Sequence, residues 1–290
     1  GAKVVFADVE PDTLNIDPEK IKECLTPKTK AIIAVDFSGQ PVNLDAIGKI
    51  AKDNNLILIE DSAHALGATY KNRLVGSIAD MTTFSLHPVK HITTGEGGLV
   101  VTNDSKLAER LRRFRNHGIN RDHHQRQKQG TWTYDMEELG YNYRLTELNS
   151  VLGISQLQKL PKLLERRRRI VVRYNEAFSN IKQLTPPAEF PDSKSSWHLY
   201  VIKLNLESLT KDRDEIFQAL RAENIGVNVH YIPVPWLAYY QKMGYKKGDW
   251  PIAESMYHRL ISLPMWPGMT DDDVEDVIFA VKKVLAAYQK

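Results

Sequence analysis

Short apolar runs alternate with longer amphipathic segments through the first third of the chain, and this alternation constrains its fold more than any other feature. Val4 to Ala7, Ala31 to Val35, Leu56 to Ile59, Met81 to Phe84 and Leu99 to Val101 are too short for helices and read as strands. Between them, Asp17-Pro18-Glu19 places a capping residue and a first-turn proline ahead of Ile21, and Leu44, Ile47 and Ile50 recur on one helix face. Strands separated by helices predict an α/β architecture with a mostly parallel sheet. Farther on, residues 104–116 read as a helix, 118–132 as a polar loop, and 145–175 as a long helix interrupted at Pro161. Beyond Thr185-Pro186-Pro187 the order is strand (198–204), helix (212–223), strand (227–231) and two more helical segments. The division expected is a large domain over 1–160, then a linking helix and a small α+β domain over 161–290. Gly1 opens directly into a strand-like run, so a further N-terminal segment, and with it the rest of the large domain, is expected to precede it.

Composition narrows the class. With 42% hydrophobic and 26% charged residues the chain matches ordinary globular proteins. No apolar run approaches the roughly 20 residues needed to span a bilayer, and the start carries no leader-like basic and apolar pair, so a cytoplasmic location is expected. Cys24 is the single cysteine, which excludes an intrachain disulfide framework and a thiolate zinc site. The net charge of +3, from 39 basic and 36 acidic residues, argues against a nucleic-acid partner. The run Arg166-Arg167-Arg168-Arg169 is set among helix formers and reads as a solvated helix face or subunit contact in preference to a phosphate stripe.

Chemistry concentrates between Leu56 and Gly98. In open α/β sheets ligands sit beyond the carboxyl ends of the strands. Asp61 and Ser85 each follow an apolar run there, Lys90 lies five residues after Ser85, and His64 lies three after Asp61. An acid, a hydroxyl and a lysine at neighbouring strand ends are the groups needed to hold the pyridine nitrogen, phosphate and aldehyde of one cofactor. A carboxylate at Asp61 favours the protonated ring, and a partly desolvated Lys90 is a nucleophile toward the aldehyde. Taken singly, each residue has an ordinary reading: a turn or cap for Asp61, a small polar residue for Ser85, a surface charge for Lys90, a structural histidine for His64.

Together these residues resemble the DegT/DnrJ/StrS family of sugar aminotransferases. Glu60-Asp61-Ser62-Ala63-His64-Ala65-Leu66-Gly67-Ala68 is similar to the family's pyridine-binding segment. Phe84-Ser85-Leu86-His87-Pro88-Val89-Lys90 with Thr94-Gly95-Glu96-Gly97-Gly98 is similar to its cofactor-lysine segment, and Gly140-Tyr141-Asn142-Tyr143-Arg144-Leu145 to its phosphate motif. The resemblance implies the pyridoxal-phosphate-dependent transferase fold, of the aspartate aminotransferase type, and pyridoxal 5′-phosphate as cofactor. It implies Asp61 at the pyridine nitrogen, His64 near the ring hydroxyl, Ser85 on phosphate, Lys90 as covalent anchor and catalytic base, and Asn142 reaching the phosphate held by the second subunit of a homodimer. Substrate contacts fall to Arg144, His230 and Tyr231. The stretch from Val229 to Val234, with Tyr239, Tyr240 and Tyr245, is similar to the branch that aminates UDP-linked 4-keto-6-deoxy-N-acetyl sugars, with glutamate as donor. It also implies several dozen residues ahead of the position of Gly1.

Three rival readings stand beside this one. A sugar dehydratase of the same family has histidine in place of the lysine, and His87 and His91 flank Lys90, so that reading turns on the register set by Ser85. A truncated, non-catalytic family member is the second. A metal hydrolase using Asp122, His123 and His124 is the third, disfavoured because adjacent side chains seldom converge on one ion; no metal is expected.

Overall fold

A computed structural model of the protein describes residues 1–120 and 123–290, with side chains for all of these except 123–125. The rival metal reading rests on Asp122, His123 and His124, and so lies outside the described residues and side chains. Helix α1 (Pro18–Cys24) starts where Asp17 accepts the Glu19 N–H at 2.8 Å. Strand β1 (Ala31–Val35) leads to helix α2 (Leu44–Asp53), capped by Asn43 and burying Leu44, Ile47, Ile50 and Ala51. Strand β2 (Ile57–Asp61), the small hairpin β3 (Thr69–Tyr70) and β4 (Arg73–Leu74), then β5 (Met81–Ser85) and β6 (Gly98–Val101) follow. The order in the main sheet is β1-β2-β5-β6, the first three parallel and the last antiparallel.

Pleating sorts the side chains of this sheet onto two unlike faces. Ile32, Ala34, Leu58 and Glu60 point into a core completed by Ile21, Val42 and the apolar stripe of α2. On the opposite face Ile33, Val35 and Ile57 are 61%, 45% and 41% exposed. Asp61 lies on that open face, in register with Val35 on one side and Thr83 on the other, and Ser85 is two residues beyond Thr83.

Helices α3 (Ser105–Phe114), α4 (His123–Gln129) and α5 (Glu147–Phe178) come next. They lead to β7 (Leu184–Thr185), β8 (Ser193–Lys194), β9 (Tyr200–Leu204), α6 (Arg213–Ala222), α7 (Ala238–Lys242), α8 (Pro251–Tyr257), β10 (Leu260–Leu263) and α9 (Asp271–Ala287). A second, antiparallel sheet, β10-β9-β7, packs Ile202, Leu204 and Ile261 against α6, α9 and the end of α5. The short strand β8 pairs with β3, joining the C-terminal half to the N-terminal half.

Four sequence expectations fail locally. Residues 4–7 form no strand: Phe6 instead packs edge-on against Tyr240, Tyr245 and Trp250, and its carbonyl accepts the Trp250 indole N–H at 3.0 Å. The polar stretch 118–132 contains α4. Residues 227–231 contribute one bridge, Asn228 to Ser262, and no strand, with Pro233 and Pro235 following at once. Helix α5 runs through Pro161 unbroken. Pro161 is exposed, so the Leu157 carbonyl it leaves unpaired lies on the solvent side, while Leu160 and Leu164 pack on Leu86 and Ile92 and hold both flanks. The boundary expected at residue 160 therefore falls inside a continuous helix.

Candidate active site

Five stretches distant in sequence meet at the carboxyl ends of β1, β2 and β5. They are the turn after β1 (Asp36 to Gln40), the end of β2 (Asp61 to His64), the loop after β5 (Ser85 to His91), the segment Ser196 to His198, and His230-Tyr231. Ser38 and Trp197 both occupy the left-handed region, at φ 61° and 53°. The two turns lock together: the His198 N–H donates to Ser38 O at 2.9 Å, the Ser38 hydroxyl to Leu199 O at 2.7 Å, and the Ser196 N–H to Gly39 O at 3.0 Å.

Lys90 is half-buried, and its side-chain amine makes no hydrogen bond or ion pair among the described residues. Burial pulls its ammonium below the ordinary lysine range, and the Asp61 carboxylate works against this. Asp61 accepts the Ala63 N–H at 3.2 Å and the Thr83 hydroxyl at 3.4 Å, both on Oδ1, which leaves Oδ2 uncommitted. His64 is buried, and its Nδ1 accepts the Ser38 N–H at 3.3 Å, so the proton of the neutral ring sits on Nε2. Burial first, then repulsion from Lys90 and His230, holds His64 down to about 3. Tyr231 lies over it at 6.4 Å between centroids, and His230 Nδ1 pairs with the Ser262 hydroxyl at 2.7 Å.

The structure thus brings Asp61, His64, Lys90, His230 and Tyr231 into one cluster. Ser85 belongs to the same sheet edge, its hydroxyl taking the His87 N–H at 3.3 Å. Asn142 and Arg144 stand apart: Asn142 bridges to Asn116, and Arg144 donates to the Asn116 side chain at 2.6 Å, both exposed. His87 is exposed and His91 is buried with Nε2 on Ser196 O at 3.1 Å, while Lys90 faces Asp61.

Sequence reasoning missed three contributors. His198 packs on His64 at 4.4 Å and on His91 at 5.3 Å between centroids, and Ser38 supplies the N–H that sets the His64 tautomer. Arg167, expected on a solvated face, is 4% exposed. Its place was legible, because positions 160, 164, 167, 171, 174 and 178 follow the spacing of one helix stripe and all are buried. The other three Arg residues of the run fit the solvated reading where contacts are seen, with Arg166 on Asp271 at 2.7 Å and Arg169 on Glu165 at 2.5 Å.

Gly39 is the tightest point of this assembly. At φ 98° a side chain is strained, and a Cβ there would lie 2.6 Å from the Ser196 hydroxyl, 2.8 Å from Trp197 N and 2.9 Å from His64 O. Gly39→Ala is expected to cost about 1–3 kcal/mol in a denaturant melt and to weaken ligand binding at the cluster. A variant with unchanged stability and binding would show that the two turns are not rigidly coupled.

The chain matches the DegT/DnrJ/EryC1/StrS aminotransferase family over residues 1–282. It is 46% identical over 287 residues to an uncharacterized protein of Methanocaldococcus jannaschii, spanning 98% of this chain and 74% of that one. It is 43% identical over 288 residues to the spore coat polysaccharide biosynthesis protein SpsC of Bacillus subtilis, again 98% and 74%. The solved structure of Helicobacter pylori PseC, an aminotransferase involved in the biosynthesis of pseudoaminic acid, superposes with a TM-score of 0.90 at 34% identity, covering 98% of this chain and 74% of that one. Aminotransferases of this family use pyridoxal 5′-phosphate. The donor set fits that group: an uncommitted, half-buried amine for its aldehyde, an uncommitted carboxylate oxygen for its ring nitrogen, and an imidazole N–H for its ring oxygen. The match across nearly the whole chain, the shared fold and the free Lys90–Asp61 pair lead to one conclusion: this chain belongs to the DegT/DnrJ/EryC1/StrS family of pyridoxal-phosphate-dependent sugar aminotransferases.

Proposed function

We propose that the protein transfers an amino group, from glutamate, to a nucleotide-linked 4-keto-6-deoxy sugar. The observation that carries the reading is the Lys90 amine, half-buried, bonded to nothing and facing Asp61. Its likeness to PseC and to SpsC supports a sugar acceptor. Bound pyridoxal phosphate would supply an electron sink for the carbon that bears the amino group.

The residues divide the remaining work. Lys90 Nζ would bond the cofactor aldehyde, and once displaced by the donor amine it would take the proton from the donor α-carbon and return one to the sugar carbon in the second half-reaction. Its lowered proton affinity suits both tasks, since an amine that is neutral for part of the time is nucleophile and base alike. Asp61 Oδ2 would hold the ring nitrogen protonated, His64 Nε2–H would donate to the ring oxygen, and the Ser85 hydroxyl to phosphate. His230 and Tyr231, at the rim of the cluster, would meet the sugar. The exposed Asn142 and Arg144 would serve the phosphate and substrate of a second copy, and the open sheet face with Leu148, Val151 and Ile154 of α5, 86%, 65% and 63% exposed, supports a homodimer. We assign the large, cofactor-holding part to residues 1–160 and the smaller part to 161–290, and place the enzyme in the cytoplasm, where nucleotide-linked sugars and an unpaired thiol such as Cys24 are both at home.

The test is an absorption spectrum of the purified chain with added pyridoxal phosphate, followed by borohydride reduction and peptide mapping. Modification at Lys90 is the expected result. Modification spread over surface lysines, or none, would overturn the assignment.

A further inference from the structure

Arg167 is a buried cation with no carboxylate beside it among the described residues. It is 4% exposed, and its Nη1 donates to Trp197 O and His198 O at 3.1 Å each and to Met265 O at 3.2 Å. Burying a charge costs several kcal/mol unless dipoles replace water, and three converging carbonyls do so here. A leucine or methionine at this point of the helix stripe would fill the space without that cost, so the guanidinium calls for a reason beyond packing.

The reason lies in what the three carbonyls belong to. The Trp197–His198 peptide carries the ring that packs 4.4 Å from His64. The same segment sends the Ser196 hydroxyl to His64 O at 2.8 Å, receives the His91 Nε2–H on Ser196 O, and grips Ser38 through His198 N–H and Leu199 O. Ser38 in turn donates the N–H that occupies His64 Nδ1. An unbroken chain of bonds therefore runs from Arg167 through the 196–199 segment and Ser38 to the His64 imidazole, which faces Lys90.

We propose that Arg167 is a positioning residue which, through the Ser196–Leu199 segment and Ser38, fixes the seat and the Nε2–H tautomer of His64. This rests on the reading of His64 as a donor to the bound cofactor. The charge of Arg167 assists the geometry. The groups facing the three stacked rings His64, His91 and His198 are Lys90, His230 and Arg167, all basic, with Asp61 near Lys90 and Tyr231 over His64. Burial is the main reason that His91 is held down to about 3 and His198 lower still, and Arg167 adds to it in both. An extra proton in the stack would sit between two cations, so the rings stay neutral and the His64 N–H stays where Ser38 puts it.

The experiment is side-chain nitrogen NMR of the full chain labelled in histidine, without added cofactor, for the wild type, Arg167→Gln and Arg167→Met. In the wild type His64 is expected to show a single Nε2–H tautomer that does not titrate above about pH 4, given its value of about 3. In Arg167→Gln it is expected to show mixed tautomers and to titrate closer to 6.5, with pyridoxal phosphate binding weakened about 10-fold, the lower end of what orienting partners contribute at metal sites. An unchanged His64 signal in folded Arg167→Gln would reduce Arg167 to a structural clamp and overturn the proposal. Should that variant fail to fold, Arg167→Met removes the same donors while filling the space with an apolar side chain, and an unchanged His64 signal there overturns it equally. A wild type that shows the tautomer but fails to bind pyridoxal phosphate would sink the functional reading and leave the positioning role intact.

Discussion

Lys90→Ala is expected to lower amino transfer to a keto sugar by at least about 10²–10⁴-fold, the range covered by removal of a positioned general base, before the loss of the covalent anchor is counted. Stability should not follow activity down. The Lys90 side chain makes no hydrogen bond or ion pair among the described residues, so the melting midpoint should correspond to a change within about 0.5 kcal/mol. Relief of a half-buried ammonium even favours the variant slightly. The measurement pairs a coupled assay of glutamate consumption with a thermal melt of the same preparation. Transfer at the normal rate by a folded Lys90→Ala protein would remove Lys90 from the chemistry and return His87 and His91 to consideration.

The second large effect is expected on the hidden side of the same sheet. Asp36 and Glu60 are both fully buried on the face opposite Asp61, Asp36 following two residues after Ala34, which is in register with Glu60. Asp36 accepts the Val42 N–H at 2.9 Å and the Ser62 hydroxyl at 2.6 Å, Glu60 accepts the Thr82 hydroxyl at 2.9 Å, and Glu60 Oε1 is left without a donor. No cation pairs with either among the described residues; burial, and for Asp36 the neighbouring Glu60, push both carboxyls upward, which favours a proton held between them. Asp36→Ala strips acceptors from Val42 and Ser62 and is expected to cost about 2–4 kcal/mol, one to two orphaned buried groups. Asp36→Asn keeps the shape of the protonated acid, with an amide N–H free to reach Glu60, and should match or exceed the wild type at pH 7.

The pH dependence separates these variants. A carboxyl raised in the folded state holds a proton that the unfolded chain releases above about 4, so between there and the raised folded value stability falls as pH climbs. The buried histidines act in the opposite sense. The unfolded chain protonates near 6.5 where His64 and His91 refuse a proton until about 3, so stability drops as pH falls through that window. Subtracting the urea-derived stability of Asp36→Asn from that of the wild type across pH 4–8 cancels the histidine arm. A wild-type-minus-variant difference that does not fall as pH rises would mean that Asp36 and Glu60 share no proton.

The elements that position the site were legible wherever local chemistry decides local structure. Asp17 and Pro18, the Leu44-Ile47-Ile50 stripe and β1 stand where capping, helical spacing and an apolar run place them. The Asp61, Ser85 and Lys90 spacing pointed to the sheet edge that the structure builds. What failed had a tertiary cause. Val4 to Ala7 has strand composition, and the rings of Tyr240, Tyr245 and Trp250, more than 230 residues away, take Phe6 out of any ladder. Pro161 is read as a break until the packing of Leu160 and Leu164 is known. His198 carries no signal at all, since nothing in Ser195-Ser196-Trp197-His198 announces that it will meet His64 and His91.

That last contact has a consequence for how the protein is made. The half-site of Asp61, His64 and Lys90 emerges from a ribosome about a hundred residues before Trp197 and His198, an interval of about 5–20 s at ordinary synthesis rates. Through that interval the main sheet has its strands but not the segment that grips Ser38 and covers His64. Long-range closures of this kind come late, after the local helices and hairpins. A nascent chain therefore holds a reactive lysine and an acidic strand end in the open, and the finished pocket appears only when the small sheet docks, so a chaperone that delays the C-terminal half also delays the birth of the active site.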